Sequence, residues 1–273
     1  MSRKLISAGV GLALTLLAGT ASAADVSLTT GDGVKLHAQH YGGGEKGVIL
    51  LHSRNRSSTD WSYIGEKLSG SFNVLAVDLR GHGKSAIEAE LTEEVFQLMV
   101  GDVGAAAEWL RQNGAKEVSL VGAELGANLA INYAASDAAV VNLVLLSPGL
   151  NHQGFKISGP LATYGERPVL FVASENDPKS SKACTLLGER AAGDSHVELL
   201  PDAGSGVKMF NRAPSLEGTM VAWLNQTFRM SRGEGSNAEA NLQTGEVGDI
   251  ETTGVLLEDR GKEKEPEAEK LEY

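Results

Sequence analysis

One cysteine, Cys184, stands in the 273 residues. A single thiol excludes an internal disulfide, although an exported chain would meet oxidising conditions, and it reads as a small buried side chain on a helix. No His-x-x-x-His pair and no Cys/His set occurs, so no metal site and no cofactor is expected. No Lys/Arg cluster interrupts a formal net charge of −11. Such a chain repels polyanions and anionic lipid surfaces, which argues against a nucleic-acid partner. Long apolar runs are also missing. The best, Leu5 to Leu17, is broken by Ser7, Gly9, Gly11 and Thr15 and falls short of the ~20 residues that span a bilayer.

That run belongs instead to a leader. Arg3 and Lys4 precede it and Ala21-Ser22-Ala23 follows as a small-residue cleavage site, the layout of a secretory signal peptide. Residues 1–23 are read as the signal, with a mature chain starting near Ala24. No cysteine follows the site, so no lipid anchor is attached there. Without Arg3 and Lys4 the net charge becomes −13. The expectation is a bacterial protein of the periplasm or the medium, with no membrane span once the signal is removed. Residues 231–273 carry twelve Asp/Glu against five Lys/Arg and no apolar periodicity. A segment of that composition cannot bury enough surface to offset its ordering entropy, so it is read as an acidic, disordered tail. The sharper alternative is a docking tail with Val255-Leu256-Leu257 as its contact to a protein partner.

Between them, residues 24–230 form one domain in which short strand-like runs alternate with longer amphipathic ones. Val34 to Gln39, Gly47 to Leu51, Val74 to Val77, Val118 to Val121, Leu143 to Leu146, Val169 to Ala173 and Val197 to Leu200 read as strands. Thr59 to Leu68, Glu94 to Arg111, Gly126 to Ala135 and Ser215 to Phe228 read as helices. In the second, Val95, Leu98, Met99, Asp102, Ala106, Trp109 and Leu110 fall at helical spacing and define the core face. The alternation predicts an α/β fold, a mostly parallel sheet with helices on both faces and ligands at the carboxyl ends of its strands. The interval from Leu146 to Val169 is too short for an inserted lid domain and carries Pro148, Gly149, Gly154, Gly159 and Pro160. Gly42-Gly43-Gly44 has no strand-to-helix context and reads as a turn.

Five segments, in order, resemble the α/β-hydrolase family of esterases, thioesterases and dienelactone hydrolases. Leu50-Leu51-His52-Ser53-Arg54 is similar to its oxyanion loop, and Asp78-Leu79-Arg80-Gly81-His82-Gly83-Lys84-Ser85 to its turn after the next strand. Gly122-Ala123-Glu124-Leu125-Gly126 has the shape of the nucleophile elbow, G-x-S-x-G, with Glu124 in the serine position. Ser174-Glu175-Asn176-Asp177-Pro178 resembles the loop of the acid, with Asp177 in place. Pro201-Asp202-Ala203-Gly204-Ser205-Gly206 resembles the loop of the catalytic histidine, with Ser205 where that histidine belongs. The resemblance implies an α/β-hydrolase fold and backbone N–H groups of Ser53 and Leu125 as the oxyanion hole.

A serine attacks only when a base takes its proton, an acid orients that base, and N–H groups stabilise the oxyanion. Here the orienter and the N–H groups are present, while nucleophile and base are replaced. Glu124 as nucleophile is disfavoured, because its carboxylate reaches ~1.5 Å further than aspartate and hydrolysis of its ester needs a base where Ser205 stands. Its bland role is to satisfy the free N–H groups at a helix start. His82, at the ligand-bearing edge, is the remaining candidate base, with a structural role in the turn as its alternative. His52 shapes the oxyanion loop, and His152 has no local partner pattern. Three functions stay open: a degenerate hydrolase whose pocket binds a small ester, acid, lipid-like ligand or protein partner; an active ester or thioester hydrolase using Glu124 or another residue; and a carrier for the tail.

Overall fold

The computed structural model describes residues 23–225; the signal-peptide and acidic-tail assignments lie outside them. Strands β3 (Lys46–Leu51), β4 (Asn73–Val77), β5 (Glu117–Ala123), β6 (Val140–Leu146) and β9 (Val169–Ser174) form the parallel centre of one sheet. Their residues are buried almost without interruption, because helices cover both faces of the sheet. At one edge β1 (Ala24–Thr29) and β2 (Lys35–Gly42) pair antiparallel and join β4 antiparallel; at the other, half-buried β10 (Ser195–Leu200) runs parallel to β9. The strand order is β1-β2-β4-β3-β5-β6-β9-β10.

Helices α2 (Glu93–Gln112), α3 (Leu125–Ser136), α4 (Ser158–Tyr164) and α5 (Pro178–Gly188) pack one face through Phe96, Val103, Leu129, Leu161 and Leu187. Helices α1 (Ser62–Leu68), α6 (Met209–Arg212) and α7 (Ser215–Leu224) pack the other through Ile64, Leu68, Met209, Met220 and Trp223. Helix α2 starts where Thr92 accepts the Val95 N–H, with Glu93 and Glu94 in the first turn and Arg111 in the last, charges matched to the helix dipole.

Its core face differs from the expected stripe. Phe96, Met99, Val103, Ala106, Ala107 and Leu110 are buried, whereas Leu98 is 50% exposed. Buried Asp102 sits on that face and accepts the Arg80 backbone N–H at 2.9 Å and Nε–H at 2.8 Å. Between β6 and β9 the chain forms the small hairpin β7 (Asn151–His152) and β8 (Phe155–Lys156), then α4, with no inserted lid domain. No helix among the described residues is long and apolar enough to cross a membrane.

The order of the strands positions the site. From β3 the chain crosses to β4 on one side and to β5 on the other, so a crevice opens between the carboxyl ends of β3 and β5. Ser53 follows β3 there, and Glu124 follows β5.

Candidate active site

Two glycines make the turn at Glu124. A Cβ on Gly122 would lie 2.2 Å from the Gly126 carbonyl oxygen, and one on Gly126 would lie 2.3 Å from that of Leu51. Only glycine lets strand, turn and helix approach so closely. Between them Glu124 takes φ 50 and ψ −108, a conformation that costs a side-chain-bearing residue about 1–3 kcal/mol. Its N–H donates to Leu146 O at 2.9 Å, while its carbonyl accepts the N–H groups of Ala127 and Asn128. The carboxylate makes no hydrogen bond to the start of α3. It accepts the Ser205 hydroxyl at Oε1, at 2.8 Å. The expectation that Glu124 would satisfy the helix N–H groups is therefore corrected: the side chain turns across the crevice, and the Ser53 and Leu125 N–H groups donate to no protein acceptor among the described residues.

The loop carrying Ser205 is pinned from beneath. Ser174 Oγ accepts the Ala203 N–H at 2.8 Å, Asn176 Oδ1 the Gly204 N–H at 3.2 Å, and Ser147 Oγ the Gly206 N–H at 2.9 Å. Ser53, Glu124 and Ser205 line one cavity of about 280 Å³. Asp177 is apart from it. Its carboxylate caps α5, accepting the Ser180 N–H at 3.4 Å, and shares a shallow surface groove with Ser205 without bonding it.

His82 does not enter the site. It is 5% exposed, its Nδ1 donates to Arg80 O at 3.0 Å, and it is absent from the cavity wall. His82 is therefore not placed as the candidate base: the turn after β4 folds back through Gly81 and Gly83, both at positive φ, and buries the ring against His52, 5.2 Å between centroids. His52 in turn donates from Nδ1 to Ser53 O at 2.8 Å and accepts the Leu79 N–H at Nε2, 3.1 Å away. Burial lowers its pKa to about 4, so the ring is neutral and braces the oxyanion loop.

The residue missed in sequence is His152. Asn128, one turn into α3, donates to Gly149 O and Phe155 O at 2.8 Å each, which fastens the β7–β8 hairpin beside the elbow. His152 on that hairpin is half-buried. Burial lowers its pKa, and the charges of Glu124 and Asp177 oppose that shift. Nothing within a few residues of His152 signals this placement. Among the described residues no group of three His, Cys, Asp or Glu side chains is placed to hold a metal ion.

Residues 44–180, half of the chain, match the family described as serine aminopeptidase, S33. The chain belongs to that α/β-hydrolase family. It is 29% identical to N-formylmaleamate deformylase of Pseudomonas putida over 45% of each chain. It is 31% identical to a haloalkane dehalogenase of Agrobacterium fabrum over 41% of this chain and 35% of that one. The chain spans less than half the length of these curated relatives. Among solved structures, an esterase of Pyrococcus furiosus superposes with a TM-score of 0.66 at 21% identity, covering 76% of this chain and 91% of that one. A dienelactone hydrolase of Anabaena variabilis gives 0.61 at 18% identity, covering 76% and 99%. At those identities the likeness concerns the fold.

Proposed function

We propose that this α/β-hydrolase-fold protein is exported and uses its crevice to bind a small ligand, without the turnover of a serine hydrolase. The observation that carries the reading is the 2.8 Å hydrogen bond from the Ser205 hydroxyl to Glu124 Oε1. Acyl transfer by the family's route needs a hydroxyl at the elbow and a proton acceptor facing it. In this chain the elbow holds the acceptor, and the facing loop holds the hydroxyl. Asp177 has no imidazole to orient and caps α5 instead. What supports binding is the open cavity, with unengaged N–H groups at its inner end.

The test is hydrolysis of a fluorogenic ester and thioester panel by the mature protein and by Glu124→Gln. Acceleration no greater than the ~10³–10⁴ over water left by an oxyanion hole and binding alone, equal in both proteins, is the expected result. Turnover that Glu124→Gln abolishes would overturn it. That outcome is the second reading, in which Glu124 attacks and His152 supplies the base; it rests on His152 sensing the charges of Glu124 and Asp177. Export is checked separately by the intact mass of protein from the periplasm and medium, with cleavage before Ala24 expected. A tail-borne protein partner is checked by deleting residues 231–273 and repeating a pull-down from envelope extract.

A further inference from the structure

We infer that the cavity beside Glu124 takes a small hydroxy acid, its carboxylate between Arg54 and Lys208 at the rim and its hydroxyl on Glu124 Oε2 at the inner end. The inference rests on the binding reading above.

The rim carries it first. In a chain of net charge −11, this one cavity is lined by Arg54, Arg56 and Lys208. Arg56 is already neutralised, its Nε and Nη2 each 2.6 Å from an oxygen of Asp60. Arg54 lies over the Phe96 ring, 5.5 Å from its centroid. Neither Arg54 nor Lys208 makes an ion pair among the described residues. Two unpaired cations over an acidic molecule form a local positive field that draws in small anions. Tyr63, Ile64, Val207 and Phe210 supply the apolar wall, and the Tyr63 ring is held by its hydroxyl, which donates to Glu217 Oε2 at 3.0 Å.

The inner end has the opposite preference. Glu124 Oε1 accepts the Ser205 hydroxyl, and a carboxylate keeps further acceptor capacity on both oxygens. A point just above Gly206 is 3.2 Å from Ser53 Oγ and 3.4 Å from Glu124 Oε1, so the Ser53 hydroxyl and the carboxylate face the same space. An anion placed there is repelled by Glu124, while a neutral O–H donor is accepted. The ligand is thereby oriented, donor inward and acid outward. At about 280 Å³ the cavity falls just below the roughly 300–1,000 Å³ of small-molecule sites, which limits the ligand to a short chain of about five carbons between the two ends.

The experiment is calorimetric titration of the mature protein at low salt with 6-hydroxyhexanoate, hexanoate and 1-hexanol. The expected order is 6-hydroxyhexanoate, hexanoate, 1-hexanol, with both acids weakening as salt is added. Lys208→Glu is expected to weaken both acids by about tenfold while leaving 1-hexanol unchanged, which also reports that the cavity is still folded. Glu124→Ala is expected to erase the preference for the hydroxylated acid. If 1-hexanol binds as tightly as the acids, or Lys208→Glu leaves the acids unaffected, the inference fails and the binding reading stands. If hexanoate equals 6-hydroxyhexanoate in the wild type, the inner contact with Glu124 is wrong. If none of the three binds at millimolar concentration, the binding reading falls with it.

Discussion

If the binding reading holds, replacing two side chains should give this crevice serine-hydrolase turnover. Glu124→Ser puts a hydroxyl on a turn already held at φ 50 and ψ −108 and removes the carboxylate that spans the cavity. Ser205→His puts an imidazole on a loop fixed by Ser147, Ser174 and Asn176. The new ring would share a groove with Asp177, whose present hydrogen bond to the Ser180 N–H is long, at 3.4 Å, and easily exchanged. Intact triads contribute about 10⁶ in kcat above what oxyanion hole and binding supply. A rebuilt triad that keeps only half of that gain, measured as barrier height, gives about 10³-fold over wild type, or about 4 kcal/mol. The assay is release of p-nitrophenol from p-nitrophenyl acetate and butyrate, with each single variant as control; neither should exceed wild type. A folded double variant no faster than wild type would refute the argument, because a serine at 124 and a histidine at 205 would then not be enough for turnover here.

Other consequences follow from the packing. Gly126→Ala forces a methyl to within 2.3 Å of the Leu51 carbonyl oxygen and should cost about 3 kcal/mol or more, read as a fall in the urea midpoint. Asp78 is buried and accepts the Ser58 N–H at 2.6 Å and the Lys84 N–H at 2.9 Å, so Asp78→Ala should lose about 3 kcal/mol. Burial works to raise the Asp78 pKa, but those N–H bonds prevail and hold it below the ordinary carboxylate range. A depressed folded pKa gives stability that is present above the unfolded value, near 3.9, and is lost as pH falls through the folded one. Urea midpoints from pH 6 to 3 should therefore drop less steeply in Asp78→Asn than in wild type. Burial, reinforced by the charge of Asp177, pushes the Cys184 thiol up to about 12, so it should resist Ellman's reagent in the native protein and react fully in urea.

How much of this the sequence disclosed depended on whether the signal was local. Strands β3, β4, β5, β6 and β9 are apolar on both faces, and their continuous runs of Val, Leu and Ile announce them. Edge strand β1 is mostly exposed and turns only Val26, partly, and Leu28 inward, so it offers no such run. Strands β7 and β8 have two residues each, below the length at which any period exists. On α2 the spacing of apolar residues allowed two overlapping stripes; packing against the sheet selected the one through Phe96 and Val103 and left Leu98 in solvent. Glu124 and Ser205 were found because the glycines that force the turns, Gly122, Gly126, Gly204 and Gly206, lie beside them in sequence. The Ser205–Glu124 bond and the approach of His152 join residues 81 and 28 positions apart, and no local pattern encodes them.

An outlying backbone at a reactive position is often taken as a sign that the position still reacts. In this chain the strain at Glu124 is accounted for by packing alone. The Gly122–Gly126 and Gly126–Leu51 approaches hold strand, turn and helix close together, and the bonds of the Glu124 N–H and carbonyl close the turn. The side chain can therefore change without releasing the backbone, and a Glu124→Gly variant tests the point. Glycine at that φ removes the strain of about 1–3 kcal/mol, and its greater unfolded-state entropy takes back roughly 0.5–1 kcal/mol of the gain. It would equally remove the carboxylate that accepts the Ser205 hydroxyl, which offsets about 1 kcal/mol of the gain. Comparison with Glu124→Ala, which loses the same bond but keeps the strain, isolates the backbone contribution: the glycine variant should be the more stable of the two, and a glycine variant less stable than the alanine one by the roughly 0.5–1 kcal/mol of glycine's unfolded-state entropy would mean that the turn at Glu124 is unstrained.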